Sequence, residues 1–175
     1  EICAVLAFSA ASNNDKVGML LFADAPLLFI PPKKNRQHTL RLLRELLHLQ
    51  PSERSTNLAA ALQYTRNILK KRSVCFILSD FMAPDYNAAL RVLARRHDCI
   101  GLQCWDPLER ALPDVGLLQL RDPESGTRVW LDTTDPALRR SYTARFDASR
   151  SQAERVFRQA GADFLSVPTT ESYTH

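Results

Sequence analysis

Residues Val74 to Asp80 read VCFILSD, an apolar run that stops on Ser79 and Asp80. A short run of this kind, bounded by polar residues, is the pattern of a buried strand. It delivers a carboxylate to the rim of its sheet, and in open α/β sheets ligands bind outside the carboxyl ends of the strands. Asp80 is therefore the leading site candidate. Thr56, in RSTNLAAAL, stands where the preceding loop enters a helix. A hydroxyl and a carboxylate on neighbouring rim loops can share a hard cation. Mg²⁺ prefers octahedral oxygen ligands and keeps several waters, so this pair makes only part of a site.

Outward from this run, strands and helices alternate. Residues 2 to 13 read as a helix with Ile2, Val5, Leu6 and Ala10 on one side. Val17–Ala23 and Leu27–Ile30 read as two strands joined by the turn Asp24-Ala25-Pro26, short enough for an antiparallel hairpin, with Pro31-Pro32 as the stop. Residues 36 to 49 form a Leu-rich helix expected to face inward with Leu40, Leu43, Leu46 and Leu47. After a loop from Gln50 to Ser55, Thr56 is the expected N-cap of a helix carrying Leu58, Ala61, Leu62, Thr65, Ile68 and Leu69.

Beyond the strand at 74–79, a helix is expected from Pro84-Asp85 to about His97, then a strand from Ile100 to Trp105. Residues 115–121 and 128–132 read as a hairpin about Asp122 to Gly126. Thr134-Asp135-Pro136 starts a long helix that Gly161 ends. Its inner stripe is Leu138, Tyr142, Phe146, Ala153, Val156 and Phe157, and Ala162–Val167 is the last strand. The alternation predicts a mostly parallel α/β sheet covered on both faces, in one domain. Right-handed crossovers then gather Thr56, Asp80 and Asp106 on one rim.

The 175 residues are 45% hydrophobic and 24% charged, the composition of a globular domain. A formal charge of +4 is too weak to imply nucleic acid. No segment is long enough to cross a membrane. Cys3, Cys75, Cys99 and Cys104 contain no CxxC pair and read as reduced core thiols of a cytoplasmic protein. The chain opens on Glu1 with a helix already under way and reads as a fragment whose upstream part lies outside it.

Neither GxGxxG nor GxxxxGK[ST] occurs, and no GxSxG elbow supports a catalytic triad. Four scattered histidines offer no shared metal. The arginines of the long helix, Arg139 to Arg158, read as a solvated face or a docking face for an acidic partner. Asp80 itself has four readings: metal ligand, outer-sphere ligand through water, phosphoacceptor, or cap of its own loop.

The runs VGMLLFAD, PPKKNRQHTLRLLRELL, STNLAAAL, FILSDF, WDPLERALPDVG and LRDPESGTRVWLDTTDP together resemble one family. It is the bacterial domain-of-unknown-function family fifty-eight, a von Willebrand factor A-like group. The resemblance covers nearly the whole chain. It implies a doubly wound, mostly parallel sheet with an extra hairpin and a metal-ion-dependent adhesion site on the rim. Thr56 matches that site's threonine and Asp80 its second aspartate. The site's DxSxS portion is expected before Glu1, together with the first central strand. Members often show GGTD where this chain has Ser55-Thr56-Asn57.

Lacking that strand, its two neighbours, at 17–22 and 74–79, are expected either to pair with each other or to recruit a strand from another chain, giving a dimer by strand exchange. The resemblance implies a MoxR-type AAA+ ATPase as partner, and for the parent protein Mg²⁺ and membrane anchorage. The resulting expectation is a non-catalytic interaction or adaptor module with a partial metal site at Thr56 and Asp80. The rivals are a metal-free scaffold and a hydrolase or phosphoryl-transfer enzyme using Asp80.

Overall fold

The computed structural model describes residues 1–49, 55–121 and 126–170. The order is α1 (Ile2–Ser12), β1 (Val17–Phe22), β2 (Pro26–Lys33), α2 (Arg36–His48), α3 (Leu58–Ile68), β3 (Val74–Ser79), α4 (Asn87–Ala94), β4 (Asp98–Trp105), α5 (Pro107–Arg110), β5 (Leu117–Arg121), β6 (Arg128–Asp132), α6 (Pro136–Ala160) and β7 (Asp163–Pro168). Local chemistry accounts for several boundaries. Asp135 accepts from Ala137 N–H at 2.7 Å at the start of α6, Pro136 follows it, and Gly161 closes the helix at φ 73°.

Among the described residues the strands form three separate sheets: antiparallel β1–β2, parallel β3–β4–β7, and antiparallel β5–β6. The fold is thus mixed α/β with a parallel three-stranded sheet. Direct register pairs Cys75 with Cys99 and Gly101 with Phe164. One face of this sheet therefore carries Cys75, Ile77, Cys99, Gly101 and Phe164. It packs with Leu58 and Leu62 of α3, Leu90 and Leu93 of α4, and Val156 and Phe157 of α6. A Cβ at Gly101 would lie 2.6 Å from the Phe157 ring, so this strand position must be glycine for α6 to sit so close.

The opposite face departs from the expectation of cover on both sides. Val74, Phe76 and Leu165 share it and are 56%, 43% and 57% exposed. Of the two outcomes expected for β1 and β3, pairing with each other does not form. β1 pairs with β2 on one side and is packed by α1, α2 and α3, and among the described residues β3 likewise pairs on one side only, with β4.

Three further expectations are corrected. β2 runs through Pro31-Pro32 to Lys33, because proline is tolerated on an edge strand and the register shifts between Val17 and Met19. Gly18 makes room there, since a Cβ would meet Pro32 at 2.9 Å. In α2 the inward residues are His38, Thr39 and Leu42, while Leu40 and Leu47 are 49% and 82% exposed. The helix is turned by its ends: Asn35 caps it by accepting from His38 N–H, and the His38 ring hydrogen-bonds Val17 O at 2.9 Å. Finally, α4 begins only at Asn87, because Asp85 takes a left-handed φ of 56°.

His97, at the α4–β4 junction, is 3% exposed, and among the described residues neither ring nitrogen has a hydrogen-bond partner. Burial lowers its pKa, Arg96 adds to that, and Asp98 opposes it. A depressed folded-state value means the folded chain resists protonation. Stability is then complete above the unfolded histidine pKa of about 6.5 and falls as pH drops below it. Melting curves from pH 8 to pH 5 should show a loss for the native chain that His97→Leu lacks; parallel curves would remove this role. Gly101→Ala should destabilise by about 1–3 kcal/mol in urea unfolding, because the buried Phe157 ring cannot yield without strain; an unchanged midpoint would contradict the packing.

Candidate rim site at Asp80 and Thr56

Where β3 ends, two side chains build the turn. Ser79 Oγ accepts from Phe81 N–H at 3.0 Å, and Asp80 Oδ1 accepts from Met82 N–H at 3.0 Å. The Ser79 hydroxyl also donates to Asp80 Oδ1 at 3.3 Å. These are the local side-chain turns that Ser and Asp favour. Between them Phe81 takes a left-handed φ of 57°. That geometry sends its ring into the core, 5.0 Å from Phe157 and 5.6 Å from Phe164 by centroid, and leaves Asp80 and Met82 outside. Such a conformation is costly for a bulky residue and persists because the packing holds it.

Beneath the turn, buried Gln103 donates from Nε2 to Asp80 O at 3.2 Å and accepts from Ser166 Oγ at 3.3 Å. This side-chain bridge ties the rim to β4 and β7. Its importance was not visible in the sequence, because it depends on the register that sets Gln103 opposite Ser79 and Ser166.

Asp106 follows β4 and caps α5, accepting from Leu108 N–H at 2.9 Å. Glu109, in the first turn of this short helix, lies close enough to both aspartates for their charges to act on it. Burial raises the Glu109 pKa, and the charges of Asp80 and Asp106 push it the same way, against a backbone hydrogen bond that lowers it. Asp80, Asp106 and Glu109 thus form one acidic neighbourhood, flanked by Met82 and Leu108, which are 65% and 62% exposed.

Thr56 sits elsewhere on the rim. The expected capping role falls instead to Asn57, whose Oδ1 accepts from Ala60 N–H at 2.9 Å. Asn57 N–H in turn donates to Ala23 O at 2.7 Å, fixing this loop to the end of β1. Thr56 lines an open groove of about 400 Å³ with Asp24, Asn57, Pro84 and Asp85. Asp80 is not among the lining residues; its loop reaches the groove through Pro84 and Asp85. Asp24 and Asp85 are oxygen donors that sequence reading missed, the first because it was read only as a hairpin turn.

The donors are hard oxygens, the kind Mg²⁺ or Ca²⁺ takes. In number they fall short: among the described residues no group of three or more His, Cys, Asp or Glu side chains is arranged to hold a metal. What the rim offers is a partial donor set in two neighbourhoods.

The model of the family described as "Protein of unknown function DUF58" matches residues 1–152. The chain belongs to the DUF58 family. Relatives include the uncharacterised proteins Mb1516 of Mycobacterium bovis and Rv1480 of Mycobacterium tuberculosis. Each is 31% identical over 173 residues, which is 97% of this chain and 54% of the relative. The uncharacterised protein MAV169 of Mycobacterium avium is 30% identical over 148 residues, covering 82% of this chain and 86% of its own length. The chain spans about half the length of the first two DUF58 relatives. No helix among its described residues is long and apolar enough to cross a membrane.

The turn chemistry makes a separable prediction for Asp80. Asp80→Ala removes the acceptor for Met82 N–H and should cost about 1 kcal/mol in urea unfolding, whereas Asp80→Asn keeps an acceptor and should unfold near the native midpoint. Equal midpoints for all three proteins would deny Asp80 its structural role.

Proposed function

We propose that this chain is a non-catalytic protein-interaction module, an adaptor that works with a MoxR-type AAA+ ATPase. The observation that carries the docking reading is the β5–β6 hairpin. Leu117 and Trp130 lie on one face of it, 71% and 63% exposed, and Val129 on the other is 49% exposed. A lone two-stranded hairpin is marginal in water, and an exposed apolar patch on a folded domain marks an interaction surface. Tryptophan is also a residue type that dominates binding energy when a partner buries it.

The hairpin base is firmly built, which suits a docking element. Thr133 is wholly buried; its Oγ1 accepts from Val115 N–H at 3.1 Å and donates to Gly116 O at 2.7 Å. Arg139 of α6 donates to Thr133 O and pairs with Asp114 at 3.1 Å. The apolar residues are therefore presented from a fixed corner. The resemblance of the chain to its family supplies the class of partner.

A second reading is favoured by the hard oxygen donors of the rim. In it Thr56 contributes an oxygen and Asp80 holds a coordinated water, and Mg²⁺ bridges the rim to a carboxylate on the partner. Binding of the ATPase by calorimetry separates the two. The hairpin reading expects Trp130→Ala to weaken binding by at least about thirtyfold, as loss of a hot spot of about 2 kcal/mol would. Thr56→Ala and Asp80→Asn should stay close to the native chain, with or without Mg²⁺. A neutral Trp130→Ala beside a Mg²⁺-dependent loss in the rim variants would overturn it.

A further inference from the structure

β3 and β4 place two cysteines side by side. Cys75 and Cys99 are direct register partners in a parallel ladder, so their side chains leave the same face of the sheet. Neighbouring strands lie about 4.7–4.9 Å apart, inside the roughly 4.4–6.8 Å Cα separation that disulfides span. Both thiols are free, Cys99 buried and Cys75 half-buried. Cys75 is only partly buried at the margin of the core, which leaves it the more open of the two to a water-sized oxidant.

We propose that Cys75 and Cys99 form an oxidation site for small peroxides, with Cys75 as the attacking thiol and Cys99 as the resolving thiol. The Cys75 thiolate attacks one oxygen of hydrogen peroxide and breaks the O–O bond. This gives Cys75 sulfenic acid and hydroxide, which takes up the proton Cys75 released. Cys99 sulfur then attacks Cys75 sulfur; the S–O bond breaks, and the oxygen leaves as water with the Cys99 proton. In sum, two thiols and one peroxide give one disulfide and two waters. The bond would join β3 to β4 around the segment that contains α4, without touching the hairpin, so it stands independently of the docking reading.

The roles follow from the surroundings. Cys75 is the more open of the two, so a peroxide meets it first, and the neighbouring Cys99 thiol favours its thiolate against burial and the charge of Asp98. Cys99 is buried, and its neighbour and then burial push its pKa up, which keeps it a thiol until Cys75 is oxidised. Cys3 and Cys104 serve as internal controls, because burial raises both. Thiolate character sets peroxide reactivity.

The test is a peptide map of the folded chain after brief treatment with hydrogen peroxide, with the remaining thiols alkylated. Cys99 and Cys104 share one tryptic peptide, so fragment spectra or a Cys104→Ala background must separate them. The expected result is a Cys75–Cys99 linkage two hydrogens lighter than the dithiol, with Cys3 and Cys104 still alkylated. Cys75 should disappear about tenfold faster than either control. In Cys99→Ala a dimedone adduct should collect on Cys75, and in Cys75→Ala the thiol of Cys99 should stay alkylatable. Unfolding the chain in guanidinium before treatment with peroxide should abolish this order. First oxidation at Cys3 or Cys104, equal modification of all four thiols, or disulfides only between chains would overturn the proposal. The map of the native chain decides this even if a variant fails to fold.

Discussion

The ring of Phe157 against the bare backbone of Gly101 is the contact on which the rest of the described structure depends. Phe157 is fully buried and comes from the last turns of α6. Because Gly101 has no side chain, the helix can approach the parallel sheet closely enough for this ring to reach Phe81, Tyr86 and Phe164. Aromatic groups at such spacings gain from both burial and edge-to-face geometry. One contact thereby positions α6, the segment before α4, β7 and the turn after β3. The exposed placement of Asp80 follows from the inward placement of Phe81, so the rim is arranged by the core beneath it.

Much of this was legible in the chain. VCFILSD gave β3 with its actual bounds, because the run ends where Ser79 and Asp80 begin bonding the turn instead of a ladder. α6 was legible from Asp135-Pro136 and Gly161, whose roles are local and survive any tertiary context. The face of α2 was not. Four leucines outweighed His38 and Thr39 in any hydrophobic pattern, yet a ring hydrogen bond to Val17 O and the cap at Asn35 rotate the helix so that Leu40 and Leu47 meet water. The continuation of β2 through two prolines was hidden for a similar reason: it depends on Gly18 in the partner strand, which a reading of β2 alone does not consult.

At the site, sequence reading found Thr56, Asp80 and Asp106 on one rim but could not divide them. The structure groups Asp80 with Asp106 and Glu109, and Thr56 with Asp24 and Asp85. The division has a physical origin. Asn57 takes the cap of α3, leaving the Thr56 hydroxyl beside the groove, whereas one oxygen of Asp80 is already engaged by its own turn. Neither group among the described residues gathers three or more His, Cys, Asp or Glu side chains arranged to hold a metal. The apolar hairpin, by contrast, is a formed surface on a fixed corner.

Docking through this hairpin is the central proposal, and amide hydrogen exchange with and without a MoxR-type ATPase, the proposed partner, measures it most directly. The account predicts that backbone amides in β5 and β6 gain protection on binding, together with the corner at Thr133, while the loop from Asp80 to Tyr86 exchanges as before. Protection confined to that loop and to the Thr56 groove, with β5 and β6 unaffected, would contradict it.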